Sequence, residues 1–179
     1  MQRVERRLLA ACDRIVGQVP LPVPFNINRY VRALEASRGR PIRLKYWERV
    51  ASFDPSHPYG CWLACEDEDR FYLRPDTSPL HQALTFLHEA GHMQFGHDRG
   101  AGPVDADFID ALFSNPEQTG SRLRMYSRAE EQEAELFANR VMEHAVISPA
   151  WRPGGRSHGL VARLSESLAH PVRRERVHG

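Results

Sequence analysis

The chain has 179 residues, with 24 Lys and Arg against 23 Asp and Glu, and a formal net charge of +1. That length suits one domain with a real core, and near-neutrality argues neither for nor against a polyanionic partner. No apolar run approaches the ~20 residues of a membrane span, and three cysteines make no disulfide framework.

The charged start, Arg3 to Arg7, has no apolar run behind it. The expectation is a chain without a signal peptide, cytoplasmic and acting on intracellular proteins. Residues 2–17 read as an amphipathic helix, with Val4, Leu8, Ala11, Cys12, Ile15 and Val19 on one side and arginines on the other. Packing onto the domain explains that pattern better than DNA binding does. Pro20, Pro22 and Pro24 then force an extended link. A second helix is expected over 26–37, capped by Asn26 and stopped by Gly39, with Tyr30, Val31 and Leu34 inward.

Three strands follow, Ile42–Trp47, Cys61–Cys65 and Arg70–Leu73, by their alternation. The acidic turn Glu66-Asp67-Glu68-Asp69 joins the last two as a hairpin, and the expected sheet is antiparallel. Cys61 and Cys65 share a face but lie about 13 Å apart in an extended strand, too far for a disulfide. All three cysteines read as small buried residues.

Ser78-Pro79 is a strong helix start, with Ser as N-cap and Pro at the first helical position. His81, Leu84, His88, His92 and Phe95 fall on one stripe, Leu80, Leu87 and Gly91 on the next, and Gly96 ends the helix. Within it stands His88-Glu89-Ala90-Gly91-His92. Residues four apart share a helix face, so His88 and His92 can point at one metal ion. Glu89, about 100° round the helix, can reach a water activated there. This is the pattern of a zinc-hydrolase helix: two ligands and one general base. Imidazoles on an apolar stripe call for a partner, and a metal is one. His81 is two turns from His88, too far for the same ion, and reads as packing or capping. His97, just past the helix end, reads as solvated.

Catalytic zinc usually keeps three protein ligands. The preferred third is Glu131, in a second helix that starts with a Ser127/Glu130 capping box and carries an apolar stripe of Ala134, Phe137, Ala138, Val141 and Ala145. Glu131 extends that stripe one turn back. Glu135, one turn on, could accept a hydrogen bond from the far nitrogen of a ligand histidine. A solvated helix start is explanation enough for Glu130 and Glu133. The alternative third ligand is Asp98, six residues past His92, the place used by some short-spaced zinc proteases. Those have a turning glycine where this chain has Phe95, with Gly96 next to it.

Residues 98–126 hold one short helical pattern, Val104 to Phe113, and read as a flap over a cleft. Tyr126 is a candidate hydrogen-bond donor to the reacting carbonyl, although packing or exposure is the simpler reading. After Pro149 come a turn-rich link, a short Leu160/Leu164/Leu168 helix and the basic end Arg173-Arg174-Glu175-Arg176, read as a solvated tail with no direct nucleic-acid role.

Taken together, His88-Glu89-Ala90-Gly91-His92 and, roughly forty residues on, Glu131-x-x-Ala134-x-x-Phe137-Ala138 resemble the ImmA/IrrE family of metallopeptidases. In that family a Glu-x-x-Ala-Asn/Asp-x-Phe-Ala segment follows the zinc helix. The likeness runs from about residue 25 to 150. Glu135 departs from the usual Asn or Asp, and Val141-Met142-Glu143-His144, with Pro149 later, departs from the usual Leu-Leu-Met-Pro.

The resemblance implies an α+β, zincin-like domain over residues 1–150, with 151–179 as an appended helix and tail. Its helices would pack on a small, mainly antiparallel three-stranded sheet beside the metal helix, and an extended peptide could add to that sheet's edge. It implies a zinc-dependent endopeptidase with His88, His92 and Glu131 as ligands and Glu89 as general base. The donor set also suits Mn2+ or Fe2+. The implied substrate is a helix-turn-helix repressor encoded nearby, whose cleavage switches on stress or mobile-element genes. The other reading is a non-catalytic regulatory module that keeps zinc as a structural staple; a staple needs no base, so Glu89 favours the enzyme.

Overall fold

A computed structural model describes residues 2–47, 58–97 and 126–147, and these form an α+β arrangement. In chain order the elements are α1 (Gln2–Val16), α2 (Ile27–Arg38), β1 (Ile42–Tyr46), β2 (Gly60–Ala64), β3 (Asp69–Leu73), α3 (Pro79–Phe95) and α4 (Arg128–Ile147). Asp98, the Val104–Phe113 pattern and everything from 148 onward lie outside the described residues. No described helix is long and apolar enough to cross a membrane.

Local chemistry sets the helix ends. Asn26 accepts from the Arg29 N–H at 3.0 Å, and Gly39, at φ 63°, turns the chain out of α2. Ser78 accepts from the His81 N–H at 3.2 Å with Pro79 in the first turn of α3. Ser127 and Glu130 satisfy each other's main-chain N–H at 2.7 and 3.3 Å, a capping box opening α4. These starts agree with the sequence expectation.

Burial does the rest. Cys12 and Val16 bring α1 to the core, and Val19 just after it follows, so its packing role holds. Arg140 of α4 grips Asp13 of α1 with two hydrogen bonds, 2.8 and 2.9 Å. Tyr30, Val31 and Leu34 turn α2 inward as expected. The Phe86 ring of α3 lies 5.0 Å from Phe71 of β3 and meets the edge of Tyr30 at 6.4 Å, joining helix, sheet and helix. The cysteines are free and buried, also as expected.

The sheet departs from expectation. Its order is β1-β3-β2, with β2 antiparallel to β3 but β1 parallel to it, so it is mixed. Alternation of apolar and polar residues has the same period in either direction, so it identifies strands but not their sense. Asp69 also corrects the reading: it is not part of the turn but the first residue of β3, fully buried. Its Oδ2 pairs with Arg38 at 3.2 Å and Arg40 at 3.4 Å, and its Oδ1 accepts from the Trp62 indole N–H at 3.0 Å. Arg40 also holds the hairpin turn through the carbonyls of Cys65, Glu66 and Glu68.

Asp69→Ala would take the carboxylate away from two guanidinium groups and leave a buried indole N–H without its acceptor. The arginines are partly exposed, so the lower end of the cost for breaking a buried pair applies, about 3 kcal/mol. The expected result is a lower denaturation midpoint in urea; an unchanged midpoint would mean that this cluster does not hold the hairpin on the helix.

Candidate metal centre

The site forms where α3 and α4 come closest. Gly91 of α3 makes that approach possible: a Cβ there would stand 2.8 Å from Ala134 Cα and 3.0 Å from Ala134 O. Bare backbone therefore touches bare backbone. Ala134 lies one turn after Glu131, and Gly91 sits between His88 and His92, so the contact sets the three side chains across a narrow gap.

His88 Nε2 and His92 Nε2 are 3.1 Å apart. Glu131 reaches them from α4, its Oε2 at 3.2 Å from His88 Nε2 and its Oε1 at 3.9 Å from His92 Nε2. Donors at about 2.1 Å from a tetrahedral zinc would be about 3.4 Å apart; one donor atom from each of the three residues lies within 4.8 Å of the others, so a small inward shift of the Glu131 carboxylate would close such a shell. Their chemistry fits too, since two imidazoles and a carboxylate are zinc ligands. His92 is only 1% exposed, whereas the Glu131 side chain is 46% exposed. The cluster is thus closed around His92 and more open at Glu131.

Glu89 lies buried beside it. Its Oε2 accepts the main-chain N–H of Trp62 at 3.0 Å, so the edge of β2 facing α3 holds the carboxylate. Burial is the main force pushing the Glu89 carboxyl up to about 7; the Glu131 charge adds to it, while His88 and the Trp62 N–H oppose it. A carboxyl near 7 can take and return a proton at neutral pH. Burial, the largest single influence, works against a charge on His88; the hydrogen bond with Glu131 and the charges of Glu89, Glu131 and Glu135 together outweigh it, and the net direction is up.

Other expected site residues take different places. Glu135 is exposed, and its influence on His88 is that of a charge. His92 Nδ1 instead meets His97 Nδ1 at 2.8 Å. His97 is not solvated: it is 6% exposed, and its Nε2 meets Glu133 Oε2 at 2.9 Å, so Glu133 is more than a favourable charge at a helix start. Gly96, at φ 69°, explains this, because the left-handed turn sends the His97 N–H back to His92 O at 3.0 Å and brings the ring with it. A glycine stop four residues after His92, followed at once by a histidine, is the sequence signal for that contact. Tyr126 packs: its ring stacks on His92 with centroids 3.6 Å apart and planes 13° apart. His81 packs as well, its ring 4.5 Å from that of Tyr59.

Compared with protein-family models, with curated proteins and with solved structures, the chain gives no match in any of the three. The reading of the site therefore rests on its geometry and on the sequence motifs.

Glu131→Ala removes one of the three donors. The expected result is loss of stoichiometric zinc from the purified protein, measured by metal analysis after dialysis. Zinc retained at one per chain would move the third-ligand assignment to Asp98.

Proposed function

We propose that this chain is a zinc-dependent endopeptidase of the ImmA/IrrE type, a zincin-like enzyme acting in the cytoplasm on an intracellular protein. The observation that carries the reading is the convergence of His88, His92 and Glu131 within ligand distance of one another, with a buried carboxylate, Glu89, next to the first ligand. A structural staple gives no reason to bury a carboxylate beside its ligands at a cost in solvation. A hydrolase does.

When bound, zinc would polarise the scissile carbonyl and acidify the attacking water. The chain's residues do the rest. His88, His92 and Glu131 hold the ion from two helices. The Trp62 N–H fixes Glu89 Oε2. Glu89 takes the water's proton during attack and passes it to the leaving amide nitrogen. Strand β2 stands at the edge of the sheet, and an extended peptide could add to it through main-chain hydrogen bonds.

The substrate class follows from the resemblance: a helix-turn-helix repressor encoded beside the peptidase, cleaved as a regulatory switch. The test is incubation of the purified chain with that repressor, with and without chelator. Cleavage that the chelator stops and added zinc restores is expected. Cleavage indifferent to chelator would overturn the metallopeptidase reading.

A further inference from the structure

The two nitrogens of His92 face different neighbours. Nε2 lies on the side of His88 and Glu131, and Nδ1 lies 2.8 Å from His97 Nδ1. A ligand nitrogen must offer its lone pair, so a neutral His92 that ligates through Nε2 carries its proton on Nδ1. Two protonated Nδ1 atoms cannot share one hydrogen bond. His97 must therefore accept at Nδ1 and keep its own proton on Nε2. There it meets Glu133 Oε2 at 2.9 Å, and an ionised carboxylate can only accept. The three groups form one directed chain, His92 to His97 to Glu133.

The chain is built into the fold. The left-handed turn at Gly96 returns His97 onto the last turn of α3, and Glu133 comes across from the first turns of α4. His92 and His97 are both buried, so each imidazole proton needs a fixed partner.

We infer that His97 and Glu133 are positioning residues for the metal: they hold His92 in the Nδ1–H tautomer, so that its Nε2 lone pair is set toward the ion before it arrives. The inference rests on the metal reading of His88, His92 and Glu131. Outer partners of this kind typically change metal affinity about 10–100-fold when removed.

The test uses the full-length chain and three variants, His97→Leu, His97→Asn and Glu133→Gln. Asn can place an oxygen near the position of Nδ1 and accept from His92; Leu cannot. Zinc affinity is measured by competition with a chromogenic chelator, and the His92 tautomer in metal-free protein by 1H–15N correlation of the imidazole nitrogens. His97→Leu should weaken zinc binding about 10–100-fold, with His97→Asn recovering most of the loss and Glu133→Gln falling between. Metal-free wild type should show His92 as the Nδ1–H tautomer, and His97→Leu should show a mixture. Wild-type zinc affinity in folded His97→Leu, or an Asn variant no better than Leu, overturns the inference; so does an Nε2–H His92 in metal-free wild type. Should His97→Leu fail to fold, the Asn and Gln variants are compared with wild type on the same two readouts. Should wild type bind no zinc, the metal reading falls separately, and the tautomer decides the relay alone.

Discussion

Glu89→Gln should abolish hydrolysis and leave zinc in place. The substitution keeps the size of the side chain, and its amide oxygen can still accept the Trp62 N–H that now reaches Glu89 Oε2 at 3.0 Å. It touches no atom of the His88–His92–Glu131 set, so metal content should stay at the wild-type level. What it removes is the proton acceptor. Losing a positioned general base typically costs about 10²–10⁴ in rate, and the turnover of any peptide substrate should fall by that factor at unchanged zinc stoichiometry. Activity within about tenfold of wild type would remove Glu89 from the mechanism.

The same variant carries a second signature, in stability. The Glu89 carboxyl is pushed from an ordinary value of 4.5 up to about 7, mainly by burial. A group whose value is raised in the folded state binds its proton more tightly there than when unfolded. Its contribution is therefore complete below about 4.5 and is lost as pH rises through about 7. In metal-free protein the wild type should lose on the order of 3 kcal/mol across that window. Glu89→Gln, which does not titrate, should lack that part of the decline. Urea denaturation of the two metal-free proteins at pH 5 and pH 8 measures it.

How far the sequence could be read depended on the range of the chemistry involved. Asn26, Ser78, Gly39, Gly96 and the Ser127/Glu130 pair act within three to five residues, so helix ends could be located from local pattern alone. His88 and His92 share a helix face by simple periodicity, and Glu131 could be proposed because it prolongs an apolar stripe. Three features lay beyond such reasoning. Strand direction is not encoded in alternation, so the parallel pairing of β1 with β3 was missed. Asp69 looked like one of four acids in a turn, because its partners Arg38 and Arg40 come from the end of α2 and the link after it. His97 follows a helix stop, where the default expectation is solvent, and its partner Glu133 is 36 residues away. In the last two cases a polar group was buried by a partner distant in sequence, and composition near the residue gives no hint of that.

Gly91 is the residue on which the whole site should prove most sensitive to added bulk. In an isolated helix Gly91→Ala would be stabilising, by about 1 kcal/mol of propensity. Here the new Cβ would stand 2.8 Å from Ala134 Cα and 3.0 Å from Ala134 O. Those are main-chain atoms, so no rotamer change or trimming of the Ala134 side chain relieves them; α4 itself must move. Overpacking of this kind costs about 1–3 kcal/mol, which exceeds the propensity gain over most of its range. Gly91→Val adds two more methyl groups to the same gap and has a lower helix propensity than Ala. The ligand geometry suffers more than the stability does, because Glu131 sits one turn before Ala134 and its carboxylate is held 3.2 Å from His88. The expected result is a modest fall in denaturation midpoint for Gly91→Ala and a larger one for Gly91→Val. Zinc affinity should fall in the same order and vanish in the latter. A raised midpoint with full zinc affinity in both variants would mean that the two helices do not meet at this glycine, and the placement of Glu131 as a ligand would lose its physical basis.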